Sequence, residues 1–401
     1  QAFNTMLTGR PGPVSIDVPL NCFAEKTEVE IPEPYLWRDG IRSGGSGNPD
    51  SVDKVLQMIL STEKPCILAG NGSMISEAGP ELKKLSALLG IPVATTANGK
   101  GIIPEDDPLS LGVIGRNGTY MANESCRSCD VLLAVGAKFD DRQSSSWIPG
   151  YSFNIPPTKL IHVDIDPEEL GRNYPPAIGI QADAKSFLGE LCRRAELEVK
   201  ENQNKTSSWL NEIRNWREDW TEFNRVQSNS NAIPIRPERL LKEMRKVLPR
   251  DAIIVCDVGE HHNWVIQFFE SYQPRTMLQS WGFASMGFGV CGVLGAKLAA
   301  PNKVCVSVCG DGGFMMTPHI LCTAVEYNIP AGELYNPDFA SLAKSCGAQG
   351  TRVEKPQDFG AILNEAIKAN VPYVIDVPVE RDTRAPSVGS WELPPFNHPE
   401  P

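Results

Sequence analysis

A chain of 401 residues, 41% hydrophobic and 22% charged, has room for two or three packed domains and an ordinary globular composition. Its formal net charge of −11 excludes a general nucleic-acid binder, which needs a basic face to neutralise phosphates. No apolar run approaches the ~20 residues of a membrane helix, and no secretory pattern opens the chain, so no membrane partner is expected. Several of the eleven cysteines (Cys256, Cys291, Cys305 and Cys309 among them) lie in apolar runs. They read as small core residues in a reducing compartment, the cytoplasm or an organelle matrix. The C-x-x-C at Cys126 and Cys129 has no second pair or histidine cluster nearby, which argues against zinc or redox chemistry.

In chain order, residues 1–25 read as the end of a domain. "GRPGPVSIDVP" predicts a turn and a short strand, Val14 to Val18, with no helix before it, and one strand cannot bury a core. Residues 26–50, rich in Glu, Pro, Gly and Ser, read as a linker. Over 51–195, helices ("DSVDKVLQMIL", "EAGPELKKLSALLG") alternate with short apolar strands ("PCILAG", "IPVATT", "DVLLAVG", "KLIHVDID"). That alternation predicts a parallel sheet with helices on both faces. Residues 196–235 are polar, with Trp209, Trp216 and Trp220 near helical spacing, and read as an exposed helical connection whose aromatics pack on a neighbour.

Residues 236–378 start a second such unit. Helix "RPERLLKEMRKVL" leads to strand "AIIVCDVG", glycine-rich "GFASMGFGVCGVLGAKLA", strand "KVCVSVCGDGG", a helix from about Thr317 and a last strand "YVIDVPV". Residues 379–401 form a Pro-rich tail, and no internal repeat is visible. The expected class is therefore α/β, with two doubly wound parallel-sheet domains plus the remnant of a third.

The chemistry begins at "VCVSVCGDGGFMM", residues 304–316, where a buried strand ends in Gly-Asp-Gly-Gly and leads into a helix. Ligands of open α/β sheets bind at strand carboxyl ends, and a helix start can receive a diphosphate. Asp311 suits a hard Mg²⁺ that bridges phosphate oxygens, although it could equally be a simple N-cap. "DVGEHHNW" (257–264) supplies another glycine-bearing strand end, and "SWGFASMGFG" (280–289) a glycine-rich turn around Met286. Core packing would account for Met286 alone. The order and spacing of all three stretches are harder to obtain by chance.

On these motifs the chain resembles the thiamine-diphosphate enzymes of the acetohydroxyacid (acetolactate) synthase family over nearly its whole length. The resemblance implies that Asp311 ligates Mg²⁺ while Gly310, Gly312 and Gly313 hold the diphosphate. Gly259, Glu260, His261 and His262 would contact it from the other side. Met286 would bend the cofactor into a V, and the backbone around Ala284 and Met286 would bind the aminopyrimidine edge. In the central part, "LAGNGSM", "VATTANGKG", "LGVIGRNGTYMAN", "VGAKFDDR" and "HVDIDPEELGRNYP" follow the family's order. Members that contain FAD cradle it there, which would assign Gly70, Gly72, Thr95, Gly115, Gly118, Arg142, Asp164 and Asp183. Other relatives keep the fold without FAD, so both states remain open.

Departures accompany the matches. Glu260 stands where the family often has Gln, Lys138 where it has Arg, and Trp281 where a smaller residue is usual. The activating Glu belongs to an N-terminal pyrimidine-binding domain, of which residues 1–25 would be the last strand, so the catalytic residue is unknown and these residues alone are expected to be inactive. At Ala331–Gly332 the family pattern calls for a buried strand, a metal-binding Asn and a mobile loop. Here "NIPA" runs straight into "GELYNPDFASLAKSCGAQG", which would leave the sheet open; Asn336, followed by "PDF", is not assigned to Mg²⁺.

The implied activity is a carboligase that decarboxylates pyruvate and joins the two-carbon unit to a second 2-keto acid. It would act as a homodimer or homotetramer with the site between subunits. A related thiamine-diphosphate C–C lyase, hydrolase or acetyltransferase, and a non-catalytic nucleotide-binding module, are the alternatives.

Overall fold

The structure is a computed structural model that describes residues 2–26, 28–30, 33, 44–198, 207–329, 332–335, 338–380 and 383–386. Two six-stranded parallel sheets dominate it, ordered β3-β2-β1-β4-β5-β6 and β11-β12-β10-β9-β7-β8. The N-terminal stretch departs from expectation. It begins with helix α1 (Ala2–Leu7), Val14 to Val18 form no strand, and a short helix α2 (Leu20–Ala24) follows. No described strand lies alongside to complete the ladder, and an unpaired strand satisfies none of its backbone groups.

The central sheet comprises β1 (Pro65–Ala69), β2 (Val93–Thr95), β3 (Ser110–Val113), β4 (Val131–Val135), β5 (Lys159–Asp164) and β6 (Ile178–Gln181). Its helices are α3 (Pro49–Ser61), α4 (Asn71–Ile75), α5 (Gly79–Leu89), α6 (Tyr120–Ser128) and α7 (Ala184–Glu198). Local chemistry fixes their ends. The Asn48 side chain accepts from Asp50 N at 2.9 Å to cap α3, with Pro49 in its first turn. Gly90, in the left-handed region at φ 64°, terminates α5.

Because strand side chains alternate, each apolar strand feeds two cores. Ile67, Leu133 and Ile161 pack beneath α3, α5 and α7, while Cys66, Leu68, Leu132 and Leu160 face the other way. The second face is closed by α6 and by the connecting helix α8 (Ser207–Ser228). Trp209 and Trp220 are buried there, Trp216 packs against them, and Trp209 Nε1 donates to Pro65 O at 3.0 Å. The connection is thus part of the central domain's core.

The C-terminal domain contains β7 (Ile253–Cys256), β8 (Met277–Gln279), β9 (Cys305–Val308), β10 (Gly332–Tyr335), β11 (Gln349–Arg352) and β12 (Tyr373–Asp376). Its helices are α9 (Pro237–Val247), α10 (Glu260–Phe268), α11 (Phe288–Ala299), α12 (Asp311–Met316), α13 (Ile320–Glu326), α14 (Phe339–Ser345) and α15 (Phe359–Ala369). The expected opening in this sheet is not found. Gly332–Tyr335 forms β10 and fills the slot between β9 and β12, parallel to both. A slot in a parallel sheet offers backbone partners on two sides, and the segment after Ala331 takes them. Asn336 and most of the tail lie outside the described residues.

Cys256, Cys305 and Cys309 are buried as expected, but Cys291 is exposed, because it lies on the outward face of α11 together with Leu298. Cys126 and Cys129 are buried, with Cys126 Sγ 3.9 Å from that of Cys66. Among the described residues no cluster of three or more His, Cys, Asp or Glu could hold a metal, and no helix is long and apolar enough to cross a membrane.

A buried ion pair joins the domains. Lys100 Nζ lies 2.7 Å from both carboxylate oxygens of Glu105 and donates to Ile266 O at 3.0 Å. Glu105 also accepts from Ser271 N at 2.7 Å.

Candidate active site

The chain leaves β7 toward β8 on one side and returns on the other through β9. Such a reversal opens a crevice at the carboxyl ends of the two strands, where open α/β sheets bind ligands. Parallel pairing sets Cys256 against Val308, and Asp257 N donates to Val308 O at 2.9 Å. The ends of "DVGEHHNW" and "CGDGG" are thereby held side by side.

Asp257, given no role by sequence reasoning, organises the crevice. Its side chain is fully buried and accepts from Val258 N at 2.7 Å and from Gly287 N at 3.0 and 3.1 Å. It thus ties the turn before α11 to the end of β7. Any Cβ on Gly313 would fall 2.4 Å from Asp257 Oδ2, so only glycine lets α12 approach this closely. The available signal was an acid directly after an apolar strand and before a glycine turn, a position where a carboxylate must find backbone donors.

The two histidines diverge. His261 turns toward Gly310, where a Cβ would lie 3.1 Å from its Nδ1, and donates to the Asp257 backbone. Its Nε2 is buried and has no hydrogen-bond partner among the described residues, and in the neutral ring, with the proton on Nδ1, it is an acceptor that would donate to an anion only on protonation. His262 instead meets Gln279 Oε1 at 2.7 Å through Nε2 and packs its ring on Trp281, centroids 4.5 Å apart. Glu260 opens α10, where a carboxylate complements the helix dipole, and accepts from Asn263 Nδ2 at 3.2 Å.

Burial, with the neighbouring His262 charge adding to it, pushes the His261 imidazole down to about 4 against the pull of Asp257 and Asp311. The folded state therefore prefers the neutral ring. Its contribution to stability is present above the ordinary 6.5 and is lost as pH falls through about 4. Between those limits His261 should cost about 2–3 kcal/mol. His261→Gln should flatten that part of the acid limb in urea titrations at pH 7 and pH 5; an unchanged slope would show that other groups carry it.

Asp311 is exposed at the start of α12, its Oδ1 accepting from Gly312 N at 2.9 Å. A single carboxylate with open coordination suits Mg²⁺, which keeps waters and takes substrate phosphates as ligands. Gly312 and Gly313 occupy the first turn, whose N–H groups lack helical acceptors. Met286 reaches across, its terminal carbon 2.9 Å from where a Cβ of Gly312 would be, and remains 44% exposed. Ala284 adopts the left-handed region at φ 52°, a strained choice for a residue with a Cβ, beside an almost fully exposed Phe283. The structure thus brings together Gly259, His261, Met286, Gly310, Asp311, Gly312 and Gly313, and leaves His262 on Gln279 and Trp281.

In the central domain the residues assigned to FAD follow successive strands along one carboxyl edge. Several also have internal reasons for being there. Gly70 and Gly72 pack on the Gly136 backbone, a Cβ on Gly70 falling 2.0 Å from Gly136 O. Thr95 is buried, Gly115 abuts the Arg142 backbone, and Gly118 abuts Val113 O. Asp164 accepts from Asp166 N at 2.9 Å, and Asp183 from Ser76 Oγ at 2.8 Å and Ser186 N at 2.9 Å. Lys138 lies 3.5 Å from the buried Glu169 carboxylate. The crevice bounded by Asn98, Arg116, Asn117, Arg142 and Trp281 measures only about 50 Å³. Ligand pockets of drug size run ~300–1,000 Å³.

Comparison with known proteins identifies both domains. The family described as thiamine pyrophosphate enzyme, central domain, matches residues 52–191. The one described as thiamine pyrophosphate enzyme, C-terminal TPP binding domain, matches 257–334 and 330–377, two stretches that meet beside Ala331–Gly332. The probable acetolactate synthase large subunit of Methanocaldococcus jannaschii is 35% identical over 424 residues, covering 96% of this chain and 70% of that protein. The acetolactate synthase large subunit of Haemophilus influenzae is 30% identical (95% and 70% covered), and that of Porphyra purpurea 31% (94% and 68%). With both domains matched and relatives 30–35% identical over most of its length, the chain belongs to the thiamine-diphosphate enzymes of the acetolactate synthase large-subunit family.

Proposed function

We propose that the protein is a carboligase of acetolactate synthase type, releasing CO₂ from pyruvate and joining the remaining two carbons to a second 2-keto acid. The observation that carries this reading is the convergence of His261, Gly310 to Gly313 and Met286 in one crevice, in a chain 35% identical to an acetolactate synthase large subunit. Thiamine diphosphate, when bound, supplies the nucleophilic carbon and the electron sink for decarboxylation.

The chain's own residues hold and orient. Asp311 would ligate Mg²⁺ against the diphosphate, the first turn of α12 would donate N–H groups to it, and the His261 ring, once protonated beside that charge, would donate to it from Nε2. Met286, above Gly312, would set the angle between the two ends of the cofactor, with backbone near Ala284 and Gly259 around it. Fixing these groups before substrate arrives converts cofactor self-activation into a matter of orientation.

A second subunit is proposed to complete the site. Phe283, Met286, Met315 and Met316 form exposed apolar surface around the crevice, of the kind that protein partners cover. Trp281 beside the cradle favours one other reading, a related thiamine-diphosphate enzyme with a different acceptor.

The test is acetolactate formation from pyruvate by the full-length protein with thiamine diphosphate and Mg²⁺, scored beside CO₂ release. Both products together support the synthase. CO₂ without acetolactate would favour the related enzyme, and saturable cofactor binding with neither product would sink both readings.

A further inference from the structure

The crevice where the central domain meets β8 is occupied by a side chain held from several directions. Trp281 Nε1 donates to Gln279 Oε1 at 3.1 Å, and the same oxygen meets His262 Nε2 at 2.7 Å. Gln279 in turn donates from Nε2 to Ala97 O at 2.7 Å, crossing into the central domain. The His262 ring packs on the indole, and the Arg142 guanidinium lies over it, 5.6 Å from its centroid. Arg142 also reaches Asn263 Oδ1 at 3.5 Å. An arginine over an indole gains from the ring's quadrupole and is less free for another planar partner.

We infer that Trp281 fills the space a flavin ring would need, so that this protein binds thiamine diphosphate without FAD. The inference rests on the family reading of the site and adds to it a statement about cofactor content. The strand ends that would carry FAD's extended part remain in place. A ring entering between Arg142, Asn117 and Trp281 would meet an opening of about 50 Å³. Admitting it requires breaking the Trp281–Gln279 and Gln279–Ala97 hydrogen bonds and separating the indole from Arg142. The decarboxylation and carboligation proposed above involve no net redox change, so they give a flavin no electron-transfer role.

The test uses the full-length protein, purified without added cofactor. Flavin is measured by absorbance of a denatured extract, FAD affinity by equilibrium dialysis, and thiamine-diphosphate affinity by calorimetry in the presence of Mg²⁺. The wild type should carry almost no flavin yet bind thiamine diphosphate. W281G, and W281A should the glycine variant fold poorly, should bind FAD at least about tenfold more tightly than the wild type, ~1.4 kcal/mol. W281F, which keeps an aromatic ring in the crevice, should stay flavin-free. Stoichiometric, tightly bound FAD in the wild type would overturn the inference. A flavin-free wild type whose W281G and W281A variants gain no affinity would overturn the role given to the indole. Absence of thiamine-diphosphate binding would instead sink the family reading of the cradle, an outcome independent of the flavin measurement.

Discussion

Asp311→Ala is expected to lower acetolactate formation by the full-length protein about 100-fold or more, since even residues supporting a metal ligand cost 10–100-fold when removed. The carboxylate is exposed, and the hydrogen bond it accepts among the described residues is the 2.9 Å one from Gly312 N. Folding should therefore lose only about 1 kcal/mol, the usual cost of a capping group. The loss should appear as a weakened, Mg²⁺-dependent affinity for thiamine diphosphate, because the anionic diphosphate would lose a ligand for its cation. Raising Mg²⁺ should restore part of the activity. Asp311→Asn, which keeps one oxygen ligand, should fall between the two. Unchanged Mg²⁺ dependence in the alanine variant would remove Asp311 from the metal site.

Lys100→Met should be the most damaging single change to stability. Lys100 and Glu105 have side chains 2% and 6% exposed, and together they serve Ile266 O and Ser271 N across the domain boundary. Removing the cation leaves a buried charge without compensation, a loss of about 3–5 kcal/mol. At ~2–4 °C per kcal/mol, the melting temperature should drop roughly 10 °C. Burial already holds the Glu105 carboxyl above its ordinary value, with Lys100 pulling it back. A raised acid favours folding below its unfolded value and loses that contribution as pH rises through the folded one. The variant should consequently recover stability on acidification from pH 7 toward 5, more than the wild type does. Adding Glu105→Gln removes the stranded charge, keeps an acceptor for Ser271 N and should return most of the loss. Scanning calorimetry of the three proteins at both pH values checks this, and a Lys100→Met protein as stable as wild type would refute it.

Much of the architecture was legible because parallel strands buried on both faces leave continuous apolar runs. "PCILA", "VLLAV" and "CVSV" announce β1, β4 and β9. Strands at or near the sheet edges were harder. β6 reads IGIQ and β11 reads QGTR, each with glycine and polar residues, so neither carries the apolar signature. The false strand at Val14 to Val18 shows the converse, since β-branched residues form a strand only where a neighbour accepts their hydrogen bonds. In the site, the expected roles of the glycines, Asp311 and Met286 came from the family resemblance, since the residues alone left an N-cap or core packing equally open. The divergence of His261 from His262 was not legible, for adjacent helical residues point ~100° apart and nothing in "HH" says which faces the crevice. Asp257 was obscured for a related reason: its partners are backbone N–H groups, which leave no mark on side-chain identity.

The pairing of β7 directly with β9, with β8 outermost, separates two jobs within the site. The side proposed for metal and diphosphate is built from neighbouring strands locked in register, so its dimensions are inherited from the sheet. The turn carrying Trp281, Ala284 and Met286 hangs from an edge strand and is fastened to that frame by the Asp257–Gly287 link. Substitution or lengthening between Ser280 and Ser285 can thus be absorbed locally, which makes this turn the part of the molecule most open to evolutionary change of substrate while the cofactor's anchorage stays constant.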